Sequence, residues 1–496
     1  MAVPRALRLA VIAATAALLG GCGEDERIGD ALAYLPREAP LVATVSTDLE
    51  GDQLTQLDAK LRRLGVLDRG LEVELEEGAR RELGVSWAED VKPLLGNRAA
   101  VGVPAAGGLS RGSPPVLVAL EVRDRERLLR LALDVPEYIE PAGETSGARL
   151  FRARGQGRGG LIAVKNDELV LADSRPTLVA ALRRRDVEGG LTEVEFDARA
   201  GEVSADAALR AYADIESLRR ELPLVPSADT RELRRVPWYA ALRTVGLAFG
   251  ASKETLDLEL AAATDPTGLS PRELPLAPDV GPPGVPGRRP EPVVGLRNPA
   301  HLLRFGLDAL RSTDPEGESS RSIRRDERRL GIDLRRDVLD QLSGDSVFTP
   351  SRSGRELVRF DVRDPGRAAG TLRKVAIGLP RLSADSPLGL GIEGVRVRRI
   401  PGDELLYRIS SGRGRLVLGL VDNRLVYGPE REARALAREP VAQLEGLEGA
   451  LTFRADGPRT FGLLFDPASE RTVGDLTGSV DASTRRVRLT VRQAAR

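Results

Sequence analysis

Two stretches of this 496-residue chain carry the same short signals in the same order, and that repetition limits the folds open to it more than any other feature. Leu83-Gly84-Val85 followed by Asp90-Val91 is matched by Leu330-Gly331-Ile332 followed by Asp337-Val338, and Leu95 by Leu342, all at one displacement along the chain. Val122-Arg123-Asp124, a strand end running into a helix cap, recurs as Val362-Arg363-Asp364. The hairpin LIAVKNDELVLA, Leu161 to Ala172 with Asn166-Asp167 at its turn, recurs as LGLVDNRLVYG, Leu418 to Gly428 with Asp422-Asn423 there. A helix follows each hairpin, starting near Arg175 and near Pro429. Four matches in one order predict an internal duplication. The fold class expected is α+β: two similar halves, each a mainly antiparallel sheet with helices packed on one face.

The dividing segment is Pro271 to Pro292, PRELPLAPDVGPPGVPGRRPEP, which is rich in proline and glycine and has no apolar period. That composition predicts a stiff connector between a first half over 31–270 and a second over 293–496. Within the first half, Leu41 to Ser46 reads as a strand through its β-branched residues. Leu54, Leu57, Leu61 and Leu64 then lay one apolar stripe along a helix. Ala99 to Val103, Val116 to Val122 and Ala148 to Ala153 read as strands, Asp124 opens a helix, and Leu242 to Phe249 with Leu256 to Ala263 forms a closing hairpin.

Residues 1–22, MAVPRALRLAVIAATAALLGGC, read as a lipoprotein signal peptide. Arg5 and Arg8 supply the positive region, Leu9 to Leu19 the apolar run, and Leu19-Gly20-Gly21-Cys22 a lipobox. A spanning helix needs about 20 apolar residues, and this run falls well short. The single cysteine of the chain stands at the cleavage point, so Cys22 is the expected lipidation site, with palmitate among its acyl chains. Two acyl chains anchor a protein stably where one does so marginally. Residues 23–30 then form a tether, and the protein is expected to sit outside the cytoplasm, on the outer face of the cytoplasmic membrane or on an outer membrane where the cell has one.

The 74 basic and 74 acidic side chains cancel, which removes any electrostatic reason to expect nucleic acid as a partner. Hydrophobic residues make up 41% of the chain, enough for real cores, and a chain this long has no need of disulfides. Ala31 to Leu49, ALAYLPREAPLVATVSTDL, behind the lipobox, together with the LGV, DV and LLG pattern from Leu83 to Gly96, resembles a family of lipoproteins found mainly in actinobacteria and known only as a domain of unknown function. The resemblance covers most of the mature chain and implies an exported, anchored protein. It transfers no catalytic residue.

Motifs that carry chemistry elsewhere lack their context here. Gly108-Leu109-Ser110-Arg111-Gly112 matches the nucleophile elbow, which needs a strand before the serine and a helix directly after it, and Ser113-Pro114-Pro115 follows instead. Gly155, Gly157 and Gly160 match a dinucleotide fingerprint but precede a strand rather than a helix. Asp48, Glu50 and Asp52 alternate as in a calcium loop, yet the sixth and twelfth positions are Gln53 and Ala59. His301, the one histidine, falls at the third position of a helix opened by Asn298 as cap and Pro299, with no group to orient its ring. One histidine and one acylated cysteine cannot build a usual zinc site. Trp87 and Trp238 are expected in cores. The reading is therefore no catalytic residue, no cofactor and no metal: a non-enzymatic, lipid-anchored envelope protein that binds or scaffolds an envelope protein. A carrier of a hydrophobic ligand, in a cleft of or between the halves, is the alternative, and a hydrolase the remoter one.

Overall fold

The computed structural model describes residues 29–494 except 48–51, 64–68, 96–98, 106–113, 135–138, 154–159, 222–231, 288–291, 315–316, 383–385, 387, 389–393, 403, 413 and 456–474. The first half contributes strands β1 (Leu41–Val45), β2 (Ala99–Val103), β3 (Leu117–Glu121), β4 (Ile139–Thr145), β5 (Ala148–Ala153), β6 (Leu161–Lys165), β7 (Glu168–Ala172), β8 (Leu209–Asp214), β9 (Leu242–Ala251) and β10 (Thr255–Thr264). Across the sheet they lie in the order β4, β5, β6, β7, β3, β2, β1, β8, β9, β10, with every neighbour antiparallel.

The second half adds a short strand β11 (Val285–Pro286) and then β12 (Val293–Arg297), β13 (Leu342–Pro350), β14 (Glu356–Val362), β15 (Arg396–Arg399), β16 (Leu405–Ser411), β17 (Gly414–Val421) and β18 (Arg424–Gly428). It closes with β19 (Val441–Ala442), β20 (Leu451–Ala455), β21 (Leu476–Ala482) and β22 (Arg486–Ala494). Its order is β15, β16, β17, β18, β14, β13, β12, β20, β21, β22, again antiparallel throughout. β10 pairs β22 from Thr255↔Ala494 to Ala263↔Arg486, so among the described residues twenty strands form one sheet.

Local chemistry sets the turns. Asp422 and Asn423 both take positive φ, 48° and 60°, the two-residue geometry whose twist suits a hairpin, and Asn166 at the corresponding turn has φ 51°. Glycine on β9 and β21 faces an aromatic residue on the neighbouring strand in each half: Gly246 opposite Tyr212, and Gly478 opposite Phe453. A Cβ at Gly478 would lie 2.3 Å from the Phe453 ring, and one at Gly246 would lie 1.6 Å from the Ala200 carbonyl.

Helices cover both faces of the sheet, which corrects the expectation of one covered face. Leu117 and Ala119 of β3 point into a core shared with α1 (Gly29–Leu32), α5 (Arg175–Asp186) and α6 (Glu193–Ala200), through Leu32, Leu178, Leu182 and Phe196. Val118 and Leu120 point the other way, where Leu128 of α4 (Arg125–Asp134) packs. Leu54 and Leu57 of α2 (Asp52–Arg63) and Leu71 and Leu75 of α3 (Leu71–Leu83) extend that second layer around Trp87. The physical sign was the run Leu117 to Leu120, apolar at every position rather than at alternate ones, as a strand buried on two sides must be. Two small helices, α7 (Ile215–Glu221) and α8 (Pro237–Ala241), complete this half.

The second half is covered by α9 (Pro299–Thr313), α10 (Glu318–Leu330) and α11 (Pro365–Gly378) on one face and α12 (Glu430–Arg438) on the other. Leu256 of β10 packs in the Trp87 core, while Val487, the register partner of Ala262, packs with Leu302 of α9 on the cluster of Leu276, Leu296, Ala450 and Ala482. Leu256 and Ala262 share a face by the period of two, so α2, α3 and α9 lie on one side of the sheet and α1 on the opposite side. The 271–292 connector is folded in: Pro271–Glu273 forms a capped 3₁₀ turn, Leu274 and Leu276 are buried, and β11 pairs β19. Among the described residues, no helix is long and apolar enough to cross a membrane.

Candidate functional site

The sequence-derived candidates do not converge. Cys22, Ser110 and its flanking glycines, Gly155, Gly157, Asp48 and Glu50 lie outside the described residues. Gly160 accepts the Ala153 N–H on its carbonyl at the foot of β6, and Asp52 is the exposed first residue of α2. Trp87 is 2% exposed, in the core with Leu54 and Leu75, while Trp238 is half-buried on α8. His301 is the third residue of α9, and its Nε2 lies 2.9 Å from the Leu274 carbonyl, so its N–H holds the connector to the helix. Burial pushes the imidazole below its ordinary value and keeps it neutral. Asn298 does not cap α9 with its side chain; it takes φ 54°, and its N–H bonds the Gly344 carbonyl. Among the described residues, no group of three or more His, Cys, Asp or Glu is placed to hold a metal ion.

Two buried polar clusters lock the cores. Tyr34 donates to Glu168, which also receives Arg185 through Nε at 3.1 Å and Nη2 at 3.0 Å. Burial, then that bond to Glu168, pushes the phenol up, so it stays protonated. In the second half the fully buried Arg359 donates from Nη1 to the carbonyls of Leu436 (3.3 Å) and Glu439 (3.1 Å) at the end of α12. Asp361 lies 3.9 Å from it, and Asp345 takes Arg297 at 3.1 Å.

The site open to solvent is built on α10, whose sequence is ESSRSIRRDERRL. Two of its three acids, Asp326 and Glu327, are tied to neighbouring hydroxyl and backbone N–H groups. Asp326, 2% exposed, receives the Ser386 hydroxyl and the Leu388 N–H, and Glu327 receives the Leu334 N–H at 2.8 Å. Gly331, at φ 69°, ends the helix in the left-handed turn that glycine takes without strain. The π turn Leu334–Val338 follows, closed by two reciprocal bonds: Asp333 caps the Arg336 N–H at 2.8 Å, and Asp337 receives the Asp333 N–H at 3.0 Å. Bonded to Arg336 and to that N–H, the Asp337 carboxyl falls to about 2.

With the acids so used, Arg321, Arg324, Arg325, Arg328 and Arg329 stay exposed on α10, and Arg335 and Arg336 on the turn after it. Five of these, Arg321, Arg324, Arg325, Arg328 and Arg336, line an open concavity of about 1030 Å³ together with the carboxylates of Glu318, Glu327 and Asp333. The helix before the Gly84 turn in the first half, α3, is LEVELEEGARREL, and its charges pair nearby: Glu76 with Arg80 at 2.6 Å, Glu72 with Lys92 at 2.9 Å and Glu77 with Arg69 at 2.7 Å. None of these arginines stood out as a candidate in the sequence; the signal there is the run at 321, 324, 325, 328 and 329, three and four residues apart along one helix.

No protein-family model matches the chain, and no curated protein does. Among solved structures, crystal forms III, I and IV of TP0453 are similar over 47% of this chain and 79%, 78% and 81% of theirs, at 7%, 6% and 7% identity and TM-scores of 0.29, 0.28 and 0.29.

Proposed function

We propose that the protein is a lipid-anchored extracytoplasmic envelope protein, held through Cys22, that works by binding or scaffolding another envelope component rather than by catalysis. The observation that supports it is the open arginine-lined concavity on α10, a charged surface shaped for contact. The two halves are read as copies of one duplicated module. Their shared strand order, the Gly84 and Gly331 caps at φ 68° and 69°, and the Tyr212–Gly246 and Phe453–Gly478 pairs support that reading.

Native mass spectrometry of the full acylated protein, purified in a neutral detergent, tests this against the carrier alternative. A chain free of small hydrophobic cargo that retains an envelope component through washing is the expected result. A stoichiometric lipid released only on denaturation, beyond the anchor itself, would replace binding with carriage.

A further inference from the structure

We infer that the arginine face of α10 binds an extended, phosphate-bearing polymer of the cell envelope, on the side of the molecule turned away from its anchor; this rests on the envelope reading above. Arg321 and Arg325, Arg324 and Arg328, and Arg325 and Arg329 are like charges four residues apart on one helix, an arrangement that destabilises a helix left to itself. Among the described residues, Arg324, Arg325 and Arg328 have no carboxylate at ion-pair distance, although acids on the same helix are spent on backbone N–H groups and on Ser386. A guanidinium fork matches phosphate oxygens in pairs.

Extent and position narrow the occupant. Arg321 to Arg328 spans about 10 Å of helix axis at the usual rise per residue, so more than one anionic group is met in succession. The concavity is open and lined by charge, with Ile332 its sole apolar residue, whereas a protein partner needs apolar anchors at the centre of its footprint. The protein's own bilayer is disfavoured as well. The chain from Gly23 to Ile28 can extend about 20 Å at most, which keeps α1 near the membrane, and α10 packs beside α9 on the opposite side of the sheet.

The test uses the full acylated protein in maltoside micelles and end-labelled inorganic polyphosphate as probe, read by fluorescence anisotropy. Binding that weakens steeply with salt is expected, as counterion release requires. The triple variant Arg324→Glu, Arg325→Glu, Arg328→Glu is expected to bind about tenfold or more weakly with an unchanged melting curve. Arg398→Glu with Arg399→Glu, on exposed β15, is expected to bind as the parent does. Should the triple variant not fold, Arg325→Gln with Arg328→Gln carries the same expectation at smaller size. The proposal is overturned if the parent ignores polyphosphate, if the helix variants bind unchanged, if orthophosphate binds equally well, or if phosphatidylglycerol added to the micelles displaces the polymer. Acyl labelling at Cys22 is scored separately, so loss of the anchor and loss of the polymer site are distinguishable.

Discussion

Arg359 is buried without remainder in the middle of β14, and the alternation of its strand hides that fact: Leu357-Val358-Arg359 reads as a strand with an arginine on its wet face. What draws it inside is the end of α12, whose carbonyls at Leu436 and Glu439 meet Nη1, a partnership between segments about eighty residues apart. Burial lowers the guanidinium and raises the neighbouring Asp345 carboxyl, and each partly offsets the other. Arg359→Ala should therefore cost about 2–4 kcal/mol, because it leaves the Leu436 and Glu439 carbonyls without their donor in a dry core and opens a cavity there. Urea denaturation of the full chain measures it, and a loss below 1 kcal/mol would contradict the assigned role. Asp337 gives a pH signature. Its folded value of about 2 lies below the ordinary carboxylate range, so its stabilisation is complete above pH 4 and drains away as the pH falls toward 2. Asp337→Asn should lose less stability than the parent between pH 5 and 2; parallel curves would refute the assignment.

At the scale of elements, the repeated LGV and DV signals were legible because each has a local cause. The glycine is the left-handed residue after a helix, at φ 68° in Gly84 and 69° in Gly331, and the aspartate returns to the N–H four residues back, Asp90 to Ser86 and Asp337 to Asp333. Alanine at Gly331 should cost about 1 kcal/mol, since a side chain is disfavoured in that conformation. A shifted urea midpoint at unchanged slope is the expected reading. Asn298 shows where local reasoning stops: its composition suits an N-cap, but the Gly344 carbonyl captures its backbone and leaves the side chain unused. The functional meaning of α10 was equally hidden, because a string of arginines says nothing of which acids are bonded elsewhere.

At the scale of the molecule, the chain order of strands and helices could be read from periodicity, while the pairing of β10 with β22 could not. Thr255 to Thr264 looks like an ordinary closing strand, and only the register Leu258↔Val491 with the ion pairs Arg488–Glu259 at 2.8 Å and Arg492–Asp257 at 3.6 Å shows it joining the halves edge to edge. Covering an otherwise open strand edge is itself a protection against wrong pairing. Proline at Val491 removes a ladder N–H at this seam. Calorimetry should then resolve two transitions where the parent shows one, and a single transition lowered in temperature would mean that the halves are not separable units. Everything said of binding depends on where the molecule resides, and metabolic labelling of the native host with alkyne palmitate measures that most directly. The account predicts label on the parent chain, none on Cys22→Ala, and release of that variant from the membrane fraction; an unlabelled parent, or a Cys22→Ala chain that stays membrane-bound, would contradict it.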